Sequence, residues 1–229
     1  YFKAVESYAI IEAKGVYSIT ADSNLFGCYI YQNIRDFGNK LISLSSLNNN
    51  NIIGDIKDFN RDMNNISIGG GSLSRANISG EFKDLPRLLK RLQFTTIGIN
   101  ISGDVADLPR KLTSLHLNTS LRPIGNPVDL PRGLTYLNIY NLNNEFNGDI
   151  ADFPRGLTFL TLSGTNYNIS GNITDLPPNV QALQISGSST VSGDISELPR
   201  GLKSITFFGN CNLKGSLSDL PTNANVFNL

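Results

Sequence analysis

The chain is poor in the residues that most chemistry needs. It has one histidine, two cysteines, one methionine and no tryptophan in 229 residues. A single histidine, His116, excludes a histidine-rich metal site and argues against a nucleophile–histidine–acid triad. Charge is balanced, 19 basic against 19 acidic side chains, so no basic footprint points to nucleic acid or to an anionic membrane surface. No apolar run approaches the ~20 residues of a membrane-spanning helix, and no glycine-rich phosphate loop joins a strand to a helix. The chain opens at Tyr1 with neither Met nor a signal-like segment, the pattern of a processed chain or a fragment.

What the chain has is a repeat. The motif Asp-(Leu/Phe)-Pro-Arg returns with its acidic residue at Asp36, Asp58, Asp84, Asp107, Asp129, Asp152, Asp175, Glu197 and Asp219, at spacings of 22 to 26 residues. Such a period predicts a solenoid. Apolar residues follow each anchor by five, eight and ten positions, as in Leu89, Leu92, Phe94; Leu112, Leu115, Leu117; Leu134, Leu137, Ile139; and Leu157, Leu160, Leu162. The last pair alternates with mostly polar residues, the pattern of a short strand with one buried face. A unit this short holds no room for two strands and a full helix. The expectation is a single right-handed solenoid of about nine parallel strands, one per unit, with no antiparallel pairing.

A second signature closes most units: Ile52-Ile53-Gly54-Asp55-Ile56, Ile78-Ser79-Gly80-Glu81-Phe82, Ile101-Ser102-Gly103-Asp104-Val105, Ile169-Ser170-Gly171-Asn172-Ile173 and Val191-Ser192-Gly193-Asp194-Ile195. Apolar residues four apart share a face in an extended segment, and the glycine permits a tight bend or a close approach between coils. This predicts a second, shorter extended stretch across from the strand.

Leu-x-x-Leu-x-Leu followed by Ile-x-Gly-x-Ile resembles the leucine-rich repeat family over roughly residues 30–229. The Ile-Ser-Gly-Asp-Ile half is similar to its plant-type extracellular subclass, the Leu-Pro half to its short bacterial repeats. The resemblance implies an α/β-type superhelix with little helix, one parallel strand per 22–26-residue coil and a convex side of 3₁₀ turns and short extended segments. It also implies a concave strand face that binds partners. The asparagine that the family places three residues past the strand is replaced by varied residues, Gly71, Ile97, Ser120, Leu142, Thr165, Ser188 and Asn210. Asparagine recurs instead at Asn51, Asn77, Asn100, Asn168 and Asn212, which suggests a shifted ladder.

The anchor motif reads as one 3₁₀-like turn on the convex side. The Asp caps its start, Pro fits its first turn, and Gly133, Gly156 and Gly201 supply a residue tolerant of positive φ. Arg61, Arg87, Arg110, Arg132, Arg155 and Arg200 form a basic column beside the acidic one. An anion-binding stripe is one reading. The plainer one is a surface ion-pair ladder, with Asp107, Asp129 and Asp152 near Arg110, Arg132 and Arg155, each pair worth about 0–1 kcal/mol.

Residues 1–35 read as a degenerate N-terminal repeat or cap, with Gly15–Ala21 as a strand-like segment, and residues 36–229 as the solenoid, continuing or uncapped at its C-terminal end. An uncapped end is an edge through which assembly would proceed. Cys28 and Cys211 lie about eight coils apart, close to 40 Å at ~4.8 Å per strand, too far to pair. They read as core thiols. Asn-x-Ser/Thr occurs at Asn65, Asn77, Asn100, Asn118, Asn168 and Asn172, either as glycan acceptors or as the wording of the repeat.

Carboxylates recur at one repeat position, as scaffold residues do, so no paired acid and base emerge. The reading is of a non-enzymatic protein without cofactor or metal. Its outward strand positions are mostly small and polar. The exception is a central patch of Arg91, His116, Tyr136, Tyr140 and Phe159, residue types enriched at binding hot spots; their plainer role is cross-strand packing. Two functions follow. One is a recognition module that binds a protein or glycan through the concave face. The other is a structural component such as a surface-layer, stalk or virion decoration protein. Both place the chain outside the cell, at a cell surface or on a virion surface.

Overall fold

The computed structural model describes residues 8–10, 17–21, 31–37, 41–46, 51–69, 75–118, 121–142, 145–164, 167–186, 189–208, 211–224 and 226–228. Cys28, Leu47, Gly71, Ser120, Thr165, Ser188, Asn210 and Leu229 lie outside them. The apolar triplet becomes the predicted strand in every unit, for example Arg91–Phe94, Ser114–Asn118, Tyr136–Leu142, Phe159–Gly164 and Ala182–Ser186. These stack in register: Leu115 pairs with Leu92 on one side and Leu137 on the other, and Leu160 with Leu137 and Leu183. Each apolar position therefore meets its own kind one coil away. Met63, Leu89, Leu112, Leu134, Leu157, Val180 and Leu202 are all buried, and so are the two strand positions that follow in nearly every coil.

The large sheet has 11 strands. Nine carry the triplets, and Tyr17–Ala21 adds a parallel neighbour to Leu41–Ser46. The outermost strand, Tyr8–Ile10, corrects the expectation of purely parallel pairing, because it runs antiparallel to Tyr17–Ala21. Only six residues separate these two strands in sequence, whereas a parallel crossover needs a dozen or more.

The second signature forms the opposite wall. One parallel sheet of five strands ends at Arg122–Ile124, and another of four begins at Asn147–Asp149. A bridge between Gly125 and Phe146 joins the coils at the break, where Pro123 has no N–H to give. Ile78 and Phe82, Ile101 and Val105, Ile169 and Ile173 fill the interior from this side. A further buried column, Ala76, Ile99, Leu121, Phe146 and Tyr167, closes the corner between the two walls.

The glycines explain how the coils come so close. Gly171 has φ +121°, and a Cβ there would lie 2.6 Å from Asp149 Oδ1 and 2.8 Å from Ile150 Cγ2 of the preceding coil. Gly133, Gly156 and Gly201, expected in left-handed conformation, are not among the positive-φ residues. That conformation belongs to the second signature, where a strand turns into a 3₁₀ helix.

The convex turn also differs from its sequence reading. The anchor Asp ends the 3₁₀ helix, as in Val105–Asp107, Ile150–Asp152 and Ile173–Asp175, rather than capping it. The cap is the residue after the glycine: Asp104 accepts from Ala106 N at 2.8 Å, and Asp149 from Ala151 N at 2.9 Å. Pro then opens a second turn, closed by Leu112 N to Pro109 O at 3.1 Å and Leu134 N to Pro131 O at 3.1 Å.

The arginine column is no ion-pair ladder. Arg110 Nη1 donates to the Asp129 carbonyl of the next coil at 2.6 Å, and Arg132 Nη1 to the Asp152 carbonyl at 2.8 Å. Their Nη2 atoms donate to Ala106 O and Val128 O of their own coils, both at 2.7 Å. A 3₁₀ turn leaves its last carbonyls without partners, and a guanidinium fork spans two of them. Among the described residues, carboxylate ion pairs are confined to Arg35–Asp58, Lys57–Asp55 and Lys83–Glu81.

Among the described residues the recurring asparagines form no shifted ladder. Asn77, Asn100, Asn168 and Asn212 are exposed. Asn168 and Asn212 open their short strands, and Asn77 and Asn100 lie within theirs. A bond of the expected kind at this wall comes from a different position, Asn147 Oδ1 accepting from Asn168 N at 3.0 Å.

Candidate functional site

Strand alternation sends every second residue of the large sheet outward. Arg91, Ser114, Tyr136, Phe159 and Ala182 align in one column, and Gln93, His116, Asn138 and Thr161 in the next. Register thus brings the five predicted residues into one neighbourhood. Tyr136 and Phe159 stack with centroids 4.4 Å apart and planes within 10°. His116 lies tilted against Tyr136 at 6.2 Å and against Tyr140 at 6.3 Å. Burial disfavours the imidazolium and pulls the His116 pKa below its ordinary value, so the ring is neutral at pH 7.

Arg91 stands apart from the ring cluster but on the same column as Tyr136, with Ser114 between them. The small serine leaves a pocket of about 340 Å³, lined also by Gln93, His116, Thr113 and Thr135. The two threonines close its rim by donating to carbonyls of the preceding coil, Thr113 Oγ1 to Lys90 O and Thr135 Oγ1 to Thr113 O, both at 3.1 Å. The exposed guanidinium of Arg91 has no hydrogen bond or ion pair among the described residues, and no carboxylate lines the pocket.

Sequence reading missed Asn138. It sits in an outward column yet is only 5% exposed, as buried as Ser67 and Thr161 of the same column. Its Nδ2 donates to the Tyr136 hydroxyl at 3.2 Å, while its Oδ1 has no partner among the described residues. Its polar type had suggested only another small surface position. The bulk of Tyr136 and Tyr140, two residues either side on the same strand, was the available signal.

A wider recess of about 570 Å³ lies on the rim beside Pro178, which replaces the arginine of the convex column, and Gly156 and Gly201. It is made by missing side chains, and Lys203 at its edge is held to Gln181 Oε1 at 2.9 Å. Among the described residues no group of three His, Cys, Asp or Glu side chains is placed to hold a metal, and no helix is long and apolar enough to cross a membrane. Cys211 is a free, half-buried thiol whose pKa burial pushes up.

Stacked parallel strands, an opposite wall of short strands and 3₁₀ turns, and an outward strand face define a strand-rich leucine-rich repeat solenoid. Solved structures agree on the fold. The plant peptide hormone receptor RGFR1, in complex with RGF2, matches 88% of this chain with a TM-score of 0.56 and 20% identity. The crystal structure of PEPR1-AtPEP1 matches 83% with a TM-score of 0.50 and 17% identity. The chain spans only 38% and 35% of those two chains. No protein-family model and no curated protein sequence matches it.

Proposed function

We propose that the chain is a non-enzymatic recognition module, acting outside the cell, that binds a protein or glycan on the outward face of its large sheet. Arg91, His116, Tyr136, Tyr140 and Phe159 form the contact patch. The observation that carries this reading is the gathering of four rings, linked in a chain Phe159–Tyr136–His116–Tyr140, on a face that is mostly small and polar. Aromatic clusters rimmed by polar residues are the usual centre of binding energy. RGFR1, of the same fold, is itself seen in complex with RGF2.

Selection against displayed peptide and glycan libraries supplies ligands, and amide hydrogen exchange then maps them. Protection on ligand binding within Ser114–Asn118, Tyr136–Leu142 and Phe159–Gly164 is the expected result. Protection confined to the convex turns instead favours a structural component that packs through its ladder faces.

A further inference from the structure

We propose that the pocket between Arg91 and Tyr136 is a subsite for one carboxylate-bearing sugar, a hexuronic acid unit of an acidic glycan. The proposal rests on the recognition reading above and names the ligand class of that face. Four observations carry it. The first is size. Arg91 and Tyr136 are two strands apart on one column, with Ser114 between. Two steps of about 4.8 Å give a slot of about 9.6 Å. A ring packed about 4 Å from the Tyr136 face, with a hydrogen bond of about 2.9 Å to the guanidinium on its other side, fills that width. The volume of about 340 Å³ is within the range of small-ligand sites.

The second observation is charge. The outward columns at the seventh, ninth and eleventh positions after each anchor contain no Asp or Glu. Arg91 is exposed and unneutralised in a molecule whose other described arginines are mostly spent on carbonyls. His116 in the same pocket is neutral. One fixed positive charge suits a single carboxylate; a phosphate dianion asks for more than one cation.

The third is the chemistry of the remaining lining. Ser114, Gln93, His116 and the Tyr136 hydroxyl offer neutral donors and acceptors around the slot, which is what a polyhydroxylated ring requires. The fourth is the wall. Phe159 stacks on the far face of Tyr136 and fixes it, and His116 tilts against the ring at 6.2 Å on the pocket side, so the two rings together form a platform for the C–H face of a sugar. An isolated acidic side chain of a peptide would use Arg91 alone and leave platform and lining idle.

The test uses galacturonate and galactose, which share a ring and differ at the carboxylate, with N-acetylglutamate as a dicarboxylate without a ring. Binding to the whole chain is followed by saturation-transfer NMR and by titration. The expected result is millimolar binding of galacturonate, at least about tenfold tighter than galactose or N-acetylglutamate. Arg91→Gln removes the preference for the acid. Tyr136→Ala removes binding of both sugars. Gln184→Ala, on the same face but outside the pocket, changes nothing. Circular dichroism and thermal melting check that each variant folds. Equal binding of galactose and galacturonate, equal binding of N-acetylglutamate, insensitivity to Arg91→Gln, or no sugar binding at all overturns the proposal. None of these outcomes touches the recognition reading, which falls only when library-selected ligands protect other faces.

Discussion

At the scale of the residue, the repeat is held by small geometric requirements. Gly171 lies at φ +121°, with the cap oxygen of Asp149 where a Cβ would stand. Gly171→Ala therefore costs about 2–4 kcal/mol from backbone strain and crowding. Gly201 has nothing within 4 Å of its Cβ position and is not among the positive-φ glycines. Gly201→Ala leaves stability unchanged or raises it by up to about 1 kcal/mol. Denaturant titration of the two variants checks the contrast, and equal losses would contradict the stacking argument. Arg132 provides a second case. Its acceptors are the carbonyls of Asp152 and Val128, so Arg132→Ala costs about 1–2 kcal/mol and costs it equally at low and high salt. Asp152→Asn stays within about 0.5 kcal/mol, because the carboxylate is not the acceptor. A loss on Asp152→Asn that vanishes in salt would restore the ion-pair reading.

At the scale of the element, coils are tied at corners as well as along strands. The phenol of Tyr167 donates to Leu162 O of its own coil and accepts from Ser186 N of the next, both at 2.8 Å. It ties one coil to the next through a side chain. Tyr167→Phe takes the acceptor from the Ser186 N–H and leaves the Leu162 carbonyl only the longer bond from Ser186 Oγ at 3.4 Å, and costs about 1–3 kcal/mol. Burial pushes the Tyr167 pKa up to about 12. The folded phenol thus keeps its proton where the unfolded one, near pH 10, has lost it. The folded state binds more protons between those values, so stability falls as pH rises from about 10 to 12, by on the order of 2 kcal/mol. Unfolding curves across that window check the slope, which Tyr167→Phe must flatten; a slope unchanged in the variant assigns it to other groups.

Strands, period and buried triplets were legible because burial acts on side chains with a fixed spacing, and spacing is what a sequence displays. Arg132 was legible as a column but its acceptor was not, since backbone carbonyls have no letter. The same limit hid the role of the anchor Asp. Gly-Asp-Ile and Asp-Leu-Pro look equally cap-like, and only the dihedral angles decide which Asp accepts. Tyr167 breaks the apolar pattern of its column and Asn138 conforms to a polar one, so a consensus gives no warning of either.

At the scale of the molecule, each coil touches only its neighbours, and stability is a sum of coils and interfaces. That architecture frees the outward strand positions from any part in the core. Their register is nonetheless fixed by the buried leucines on either side, so side chains far apart in sequence meet: Arg91, Ser114, Tyr136 and Phe159 span three coil steps on one line. The sequence showed which residues share this face. It did not show that Ser114 opens a pocket, because that depends on the bulk of neighbours one coil away.

The central claim is that this patch is where the molecule binds. Its most direct test is the double variant Tyr136→Ser and Phe159→Ser, measured for affinity to ligands selected on the unaltered protein, with thermal melting in parallel. The account predicts a loss of at least about a hundredfold in affinity, as expected for two hot-spot aromatics, while the melt remains cooperative and the fold intact. Undiminished affinity of the folded double variant would contradict it.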